Sequence, residues 1–352
     1  MQTHFLIGFA FFCIAAGLPV KEDGASEFRI GLEDIRLLNQ NLYVFDDDNQ
    51  LVPLESNLPF LREDEESEAD TLLELHNRVF FYLYSTQNPK NPTAIFIDDK
   101  ESVRNSNFDF KRPTRVVTHG WMNSRNSEAC TLIRDAYLKH DDYNVIVIDW
   151  SKISTRPYIF ASSRVKMVGQ YVAKMLDFLV EEGLDLSTTT MVGHSLGAHV
   201  VGLGAHYAKS TVNYVVGLDP ALPGFATAGV GSRISKGDAS YVEIIHTNAG
   251  LLGYLSSIGD SDFYPNGGSK QVGCIIDIGG ACSHSRSYHY FAESINSPVG
   301  FHAKECENYL QFKLGACNHK TSSLMGEHKK IFMARGTYYL ETNAIYPYAK
   351  SK

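Results

Sequence analysis

Several large protein classes are excluded by what this 352-residue sequence lacks. Beyond residue 20 no apolar run is long enough to span a bilayer, which excludes a multi-span membrane protein. Basic charge is not in excess. The 32 Lys and Arg stand against 40 Asp and Glu, a formal net charge of -8, so the totals carry no nucleic-acid footprint. There is no C-x2-C knuckle of the kind that holds zinc. There is no N-x-S/T sequon with a residue other than proline in the middle, so N-glycosylation is not expected. Internal repeats and low-complexity tracts are also missing. What remains is 44% hydrophobic and 20% charged, the composition of a chain with a core.

The one long apolar run, Phe5 to Val20, sits at the extreme N-terminus. Ala15 and Gly17 fit the small-residue positions of a cleavage site before Leu18. Residues 1–17 are therefore expected to be a signal peptide, although its first residues include His4 and no Lys or Arg. That predicts a secreted, extracellular protein in an oxidising compartment. Cys13 leaves with the signal. Cys274, Cys282, Cys306 and Cys317 then form two pairs close in sequence, and neighbour pairing is the simplest of the three connectivities they allow. Cys130 is left over in a helix-like stretch and reads as a small buried hydrophobe.

Charge is uneven along the chain. Residues 18–70 carry 4 basic and 15 acidic side chains, including Asp46-Asp47-Asp48 and the run Glu63 to Glu66. Runs of this kind are usually solvated and mobile. This acidic leader is expected to be either a pro-segment, cut near Arg62, or an ordered acidic cap or flexible tail. Residues 71–352 read as a single domain.

In that domain strands and helices alternate. Val79–Tyr84, Arg115–Thr118, Asn144–Ile148, Thr188–Val192, Tyr214–Leu218 and Tyr241–Ile245 read as strands, the third a continuous run suited to burial on both faces. Ser127 can cap a helix running to about His140. Val165, Val168, Val172, Met175 and Leu179 share one face of a longer helix that Gly183 can stop, and residues 196–208 form another. This order predicts an α/β fold, a mostly parallel central sheet flanked by helices.

The sequence holds one G-x-S-x-G, Gly193-His194-Ser195-Leu196-Gly197, between a strand and a helix. A turn there strains the serine backbone and lifts Ser195 Oγ above the carboxyl edge of the sheet, at a helix N-terminus. A serine hydroxyl needs a base, and the base needs an acid to orient it; in such sheets they follow in the order Ser, Asp, His. That order excludes Asp149. It favours Asp219, at the end of the next strand, over Asp238, Asp260, Asp262 and Asp277. For the base, His284 beside Cys282 is favoured over His246, which ends a strand; His289, His302, His319 and His328 also follow Asp219. His284 is expected on a loop, held by the nearby disulfide. The segment Thr114–Trp121 offers a strand and a glycine before the second oxyanion donor, so the donors would be the N–H groups of Trp121 and Leu196.

The segments VVTHGW, NVIVIDWS, MVGHSLGAHVVG, VVGLDPALPGF, EIIHTNAG, DFYPNGG and CSHSRSYHYF, in this order from about residue 114 to 291, resemble the pancreatic-type lipase family. These are secreted α/β hydrolases that cleave glycerolipid esters. The resemblance implies an α/β-hydrolase fold, with Ser195, Asp219 and His284 as catalytic triad and Trp121 and Leu196 as oxyanion donors. It places the lid between the cysteines before the histidine, here only Ile275, Ile276, Asp277, Ile278, Gly279, Gly280 and Ala281. It implies no C-terminal β-sandwich, since 68 residues follow His284. The loop between His246 and Asp262 is short as well. Short versions of both loops are typical of the family's phospholipase A1 members, so the site is expected to be open to water. Around Val230 to Asp238 the family's calcium loop keeps Arg233 and Asp238, but Val230 and Ser235 replace acidic positions. No metal and no cofactor are therefore expected. The expected function is hydrolysis of glycerolipid carboxylic esters through an acyl-enzyme, with phospholipase A1 or mixed specificity. Alternatives are a neutral triacylglycerol lipase and, in another class, a non-catalytic lipid-binding protein like the family's yolk proteins. The expected partner is a glycerolipid substrate at a membrane or lipid interface, with no nucleic acid and no colipase-type protein.

Overall fold

The computed structural model describes residues 41–54, 74–327 and 334–351. The expected signal peptide, Cys13, Arg62 and the rest of the acidic leader outside 41–54, and His328 lie outside the described residues.

Residues Tyr43–Phe45 (β1) and Leu51–Pro53 (β2) pair antiparallel as a hairpin of their own. Part of the leader expected to be solvated is thus folded. Its turn Asp46–Asn49 is exposed, but Leu42, Val44 and Leu54 are buried.

The body is built on strands β3 (Phe80–Tyr84), β4 (Thr93–Ile95), β5 (Thr114–Thr118), β6 (Asn144–Asp149), β7 (Thr190–His194), β8 (Tyr214–Leu218), β9 (Tyr241–Ile245), β10 (Ser261–Pro265), β11 (Phe301–Glu305), β12 (Ser322–Met325) and β13 (Gly336–Leu340). They form one 11-stranded sheet in the order β12-β11-β13-β10-β9-β8-β7-β5-β6-β3-β4. From β6 through β13 the neighbours β6, β5, β7, β8, β9, β10 and β13 pair in parallel, and an antiparallel pair is added at each edge.

The central strands are apolar on both faces because helices cover both. Helices α2 (Tyr158–Glu182) and α3 (Leu196–Tyr207) pack on the face that carries Val116, Ile146 and Ile148. Helices α1 (Glu128–His140) and α4 (Ala281–Asn296) pack on the face that carries Val117, Val145 and Val147. Each Val or Ile so buried contributes roughly 1.5–3 kcal/mol. Ser127 caps α1 by accepting from the Cys130 N–H, and Gly183, at φ 117°, ends α2 in the left-handed region.

Register sets the level of the site. Thr118 lies opposite Gly193, His194 opposite Leu218, and Leu218 opposite Ile245. The residues that leave these strands, His119-Gly120, Ser195, Asp219 and His246, therefore emerge together at the carboxyl edge, where open α/β sheets bind ligands.

Candidate active site

Ser195 stands between β7 and α3 with φ 57° and ψ -123°, a region few non-glycine residues occupy. The turn is clamped from the neighbouring strand: its N–H donates to the Leu218 carbonyl at 3.0 Å, and its carbonyl accepts from the Ala198 and Ala221 amides. A Cβ on Gly193 would collide with the Gly197 carbonyl, and one on Gly197 with the His119 carbonyl. The sharp bend thus depends on both glycines of the motif.

Asp219 follows β8, also at positive φ (44°), and is fully buried. Its Oδ1 accepts from the amides of Thr247 and Asn248 at 2.7 and 3.0 Å, and its Oδ2 faces His284 Nδ1 at 2.6 Å. With the carboxylate as acceptor, Nδ1 carries the proton and Nε2 is left as the basic atom. Among the described residues Nε2 has no hydrogen-bond partner. Ser195 and His284 line one cavity with Gly120, Trp121, His194 and Tyr288.

His284 does not sit on a loop, as its sequence suggested, but in the first turn of α4. The helix start is fixed twice. Asp277 accepts from the amides of Cys282 and Ser283, and a disulfide joins Cys274 to Cys282. The second disulfide joins Cys306 to Cys317, and Cys130 is a buried thiol pushed up to about 12 by burial. Ala281, expected as the end of the lid, is the first residue of α4, and Ile278–Gly280 form a 3-10 turn. Ile275 and Ile276 are the most exposed of these residues, at 89% and 81%.

The amides of Trp121 and Leu196 donate to no acceptor among the described residues. Trp121 is anchored through its side chain instead: its indole N–H donates to the Arg156 carbonyl at 2.8 Å, and its ring meets Tyr158 edge-on. The preceding His119 accepts from the Trp150 amide on Nε2, so Nδ1 donates to the Gly120 carbonyl at 3.0 Å. That carbonyl belongs to the same planar peptide as the Trp121 N–H, so the bond fixes the direction of both.

The rival residues are occupied elsewhere. His246 bonds Asp262 Oδ1 at 2.9 Å and the Tyr254 carbonyl at 2.8 Å, which uses both ring nitrogens. Asp238 pairs with His206 and accepts from the Ser235 amide; burial raises its carboxyl to about 6. Asp149 accepts from the Ser151 amide, and Asp260 accepts from the Val242 amide. His302 and His319 are exposed, and His289 lies 3.7 Å from Glu128.

Three supports had no sequence signal. His194 faces the His284 carbonyl, at 3.3 Å. The Thr247 and Asn248 amides hold the free oxygen of Asp219. Buried Gln271 donates to the Thr247 and Pro265 carbonyls, and its own amide donates to Ser283 Oγ on α4. Backbone donors leave no trace in residue type, and Gln271 has no motif around it.

The site is also not open in the way the short loops implied. Val44, Phe45, Asp46 and Asn49 of the β1–β2 hairpin line the same cavity, and Ser195 is only 5% exposed.

A parallel sheet with a strained serine between strand and helix, and an Asp–His pair at the same edge, defines an α/β hydrolase. The sequence model of the Lipase family matches residues 58–348. Human "Inactive pancreatic lipase-related protein 1" is 34% identical over 260 residues, 67% of this chain and 56% of that protein. "Pancreatic triacylglycerol lipase" of Mus musculus is 31% identical over 296 residues, 74% of this chain and 63% of that protein, and its Sus scrofa counterpart is 34% identical over 67% and 58%. The chain belongs to the pancreatic-type lipase family. It spans little more than half the length of these curated relatives.

Proposed function

We propose that this chain is a secreted serine lipase that hydrolyses carboxylic esters of glycerolipids through an acyl-enzyme. The observation that carries this reading is the 2.6 Å contact between His284 Nδ1 and Asp219, with Nε2 unpartnered in the cavity that Ser195 lines. In this mechanism His284 Nε2 takes the Ser195 proton as Oγ attacks the ester carbonyl. The oxyanion is held by the N–H groups of Trp121 and Leu196. His284 then protonates the leaving alcohol, and water releases the fatty acid by the reverse sequence. Asp219 keeps the imidazole in the right tautomer and stabilises its charge. Loss of one oxyanion donor typically costs about 10²–10³ in rate.

For the substrate we favour phospholipase A1 or mixed specificity. The 275–281 loop is too short to shield a wide apolar mouth by itself, so on its side a polar head group can be accommodated; the cover over Ser195 comes from the β1–β2 hairpin instead. A neutral triacylglycerol lipase is the second reading, favoured by the names of two relatives. Release of fatty acid from phosphatidylcholine, a galactolipid and triolein, measured side by side, separates them; a strong triolein preference would overturn the first. Ser195→Ala should abolish turnover down to the residual rate set by binding and the oxyanion donors. Absence of fluorophosphonate labelling at Ser195 in folded protein would favour a non-catalytic lipid-binding role instead.

A further inference from the structure

We propose that the β1–β2 hairpin is a built-in cap that keeps glycerolipid from Ser195 until it is displaced. This regulation rests on the serine-hydrolase reading of the site. The hairpin spans the site from one rim to the other. At one end Asp47 accepts from the Ser124 amide at 3.0 Å and from the Ser124 hydroxyl, and Asn123 Nδ2 donates to the Phe45 carbonyl at 3.1 Å. These partners follow Trp121 by two and three residues. At the other end Tyr43 lies so close to Gly279, just before α4, that a Cβ there would meet the Tyr43 nitrogen at 2.5 Å. The hairpin therefore bridges the segment of the Trp121 oxyanion donor and the helix of the base.

Between these anchors Val44 and Phe45 close the cavity over Ser195 and His284. The free space left there is about 20 Å³, room for little more than a water and far below the roughly 300–1,000 Å³ of pockets for drug-sized ligands. A glycerolipid with two or three long acyl chains is larger. Val44 packs in one apolar cluster with Trp121 beside Ser195, so the cap and an acyl chain entering this site would compete for the same surface. The hairpin shares no ladder with the main sheet. It is held by side chains on one face and by rim hydrogen bonds, and it can leave without unzipping a strand of the body. Its attachment to the chain through residues 55–73 makes docking intramolecular, at an effective concentration of about millimolar for a short tether. Cutting the tether would turn docking into a bimolecular event that dilution reverses.

The test uses the full chain, folded intact, with a site-specific protease sequence inserted between residues 55 and 73. Ser195 labelling rates are measured with a short-chain and a long-chain alkyl fluorophosphonate, before cutting and after cutting and gel filtration. We expect long-chain labelling to rise at least tenfold on cutting and the short-chain rate to change far less. Added synthetic peptide 41–54 should restore the slow rate. In the uncut chain Asp47→Ala should raise the long-chain rate several-fold without any cleavage. Equal long-chain rates in the uncut, cut and Asp47→Ala forms would overturn the cap, including the case in which the cut fragment stays bound. Failure of the short reagent to label Ser195 in every form would overturn the serine-hydrolase reading, and the cap with it.

Discussion

The imidazole of His194 donates through Nε2 to the carbonyl oxygen of His284, with the two ring centroids 4.4 Å apart. The residue before the serine thus holds the backbone of the residue that would deprotonate it. Burial, and then the neighbouring His284, keep His194 well below the usual imidazole range, so it stays neutral and keeps this tautomer. His194→Phe preserves the ring and removes the donor. We expect kcat on a soluble short-chain ester to fall about tenfold, with KM within about twofold, since displacement of a catalytic group is costly. Wild-type kcat in the variant would show that the contact is incidental.

Gly253 offers a sharper probe of the acid. A Cβ at this position would fall inside the Asp219 carboxylate. Gly253→Ala must push that carboxylate away from His284 or from the Thr247 and Asn248 amides. We expect kcat to drop by about 10²-fold or more, toward the about 10⁴-fold loss seen when a triad aspartate is disabled. Circular dichroism should still report a folded chain. An active Gly253→Ala enzyme would mean that Asp219 does not orient the base.

His199 couples the nucleophile helix to the loop after Asp219, and its effect is on stability. Its Nε2 donates to the Ala221 carbonyl at 2.8 Å and its Nδ1 accepts from the Ile234 amide at 3.3 Å. Burial, opposed by the Ala221 bond, lowers it to about 3 from an ordinary 6.5. Its folded pKa is depressed, so the stabilisation is fully present above about 6.5. It is lost as pH falls toward 3, at about 1.4 kcal/mol per pH unit for one proton. His199→Gln cannot titrate. Urea unfolding between pH 7 and 4 should show a shallower pH dependence for the variant by about that slope. Parallel curves would refute the assignment.

Ile275 and Ile276 expose large apolar side chains in the disulfide-closed loop that leads into the helix of His284. If the enzyme works at a lipid surface, these are the side chains that would enter it. Replacing both with Asp should weaken binding to phosphatidylcholine vesicles by tenfold or more, given roughly 1.5–3 kcal/mol per buried isoleucine. Hydrolysis of a soluble ester should stay within about twofold. Unchanged vesicle binding, measured by sedimentation, would remove this loop from the contact surface.

The central strands were legible because each is a run of Val, Ile and Leu buried on both faces, with no amphipathic ambiguity. The start of β7 was misplaced by two residues, because Leu186–Thr188 form a 3-10 turn and the strand runs on through His194. Helix α4 was missed for a different reason. Half of its ten buried residues are Ser283, His284, Ser285, Ser287 and Ser294, which give no apolar signal, so the stripe of Tyr288, Phe291 and Ile295 marks only its second half. The outer strands β11 and β12 are short and partly exposed, so their pattern was too weak to read. The turn at Ser195 and the position of Asp219 were visible through motif and order. The preference for His284 over His246 rests in the sequence on the neighbouring Cys282 and on the family resemblance; the structure adds that Asp262 occupies His246. The hairpin over the site is not legible in the sequence, because the charge of Asp46 to Asp48 masks the apolar pattern of Leu42, Val44 and Leu54.

Ser195 owes its bend to Leu218 and Ala221, one on each side of Asp219. Ser195 and Asp219, the proposed nucleophile and acid, are therefore two ends of a single braced joint, unable to drift apart while the sheet lives. Any variation in ligand between chains of this build has to arise around that joint, in the rim and the hairpin above it, where residues can be exchanged without disturbing the brace beneath.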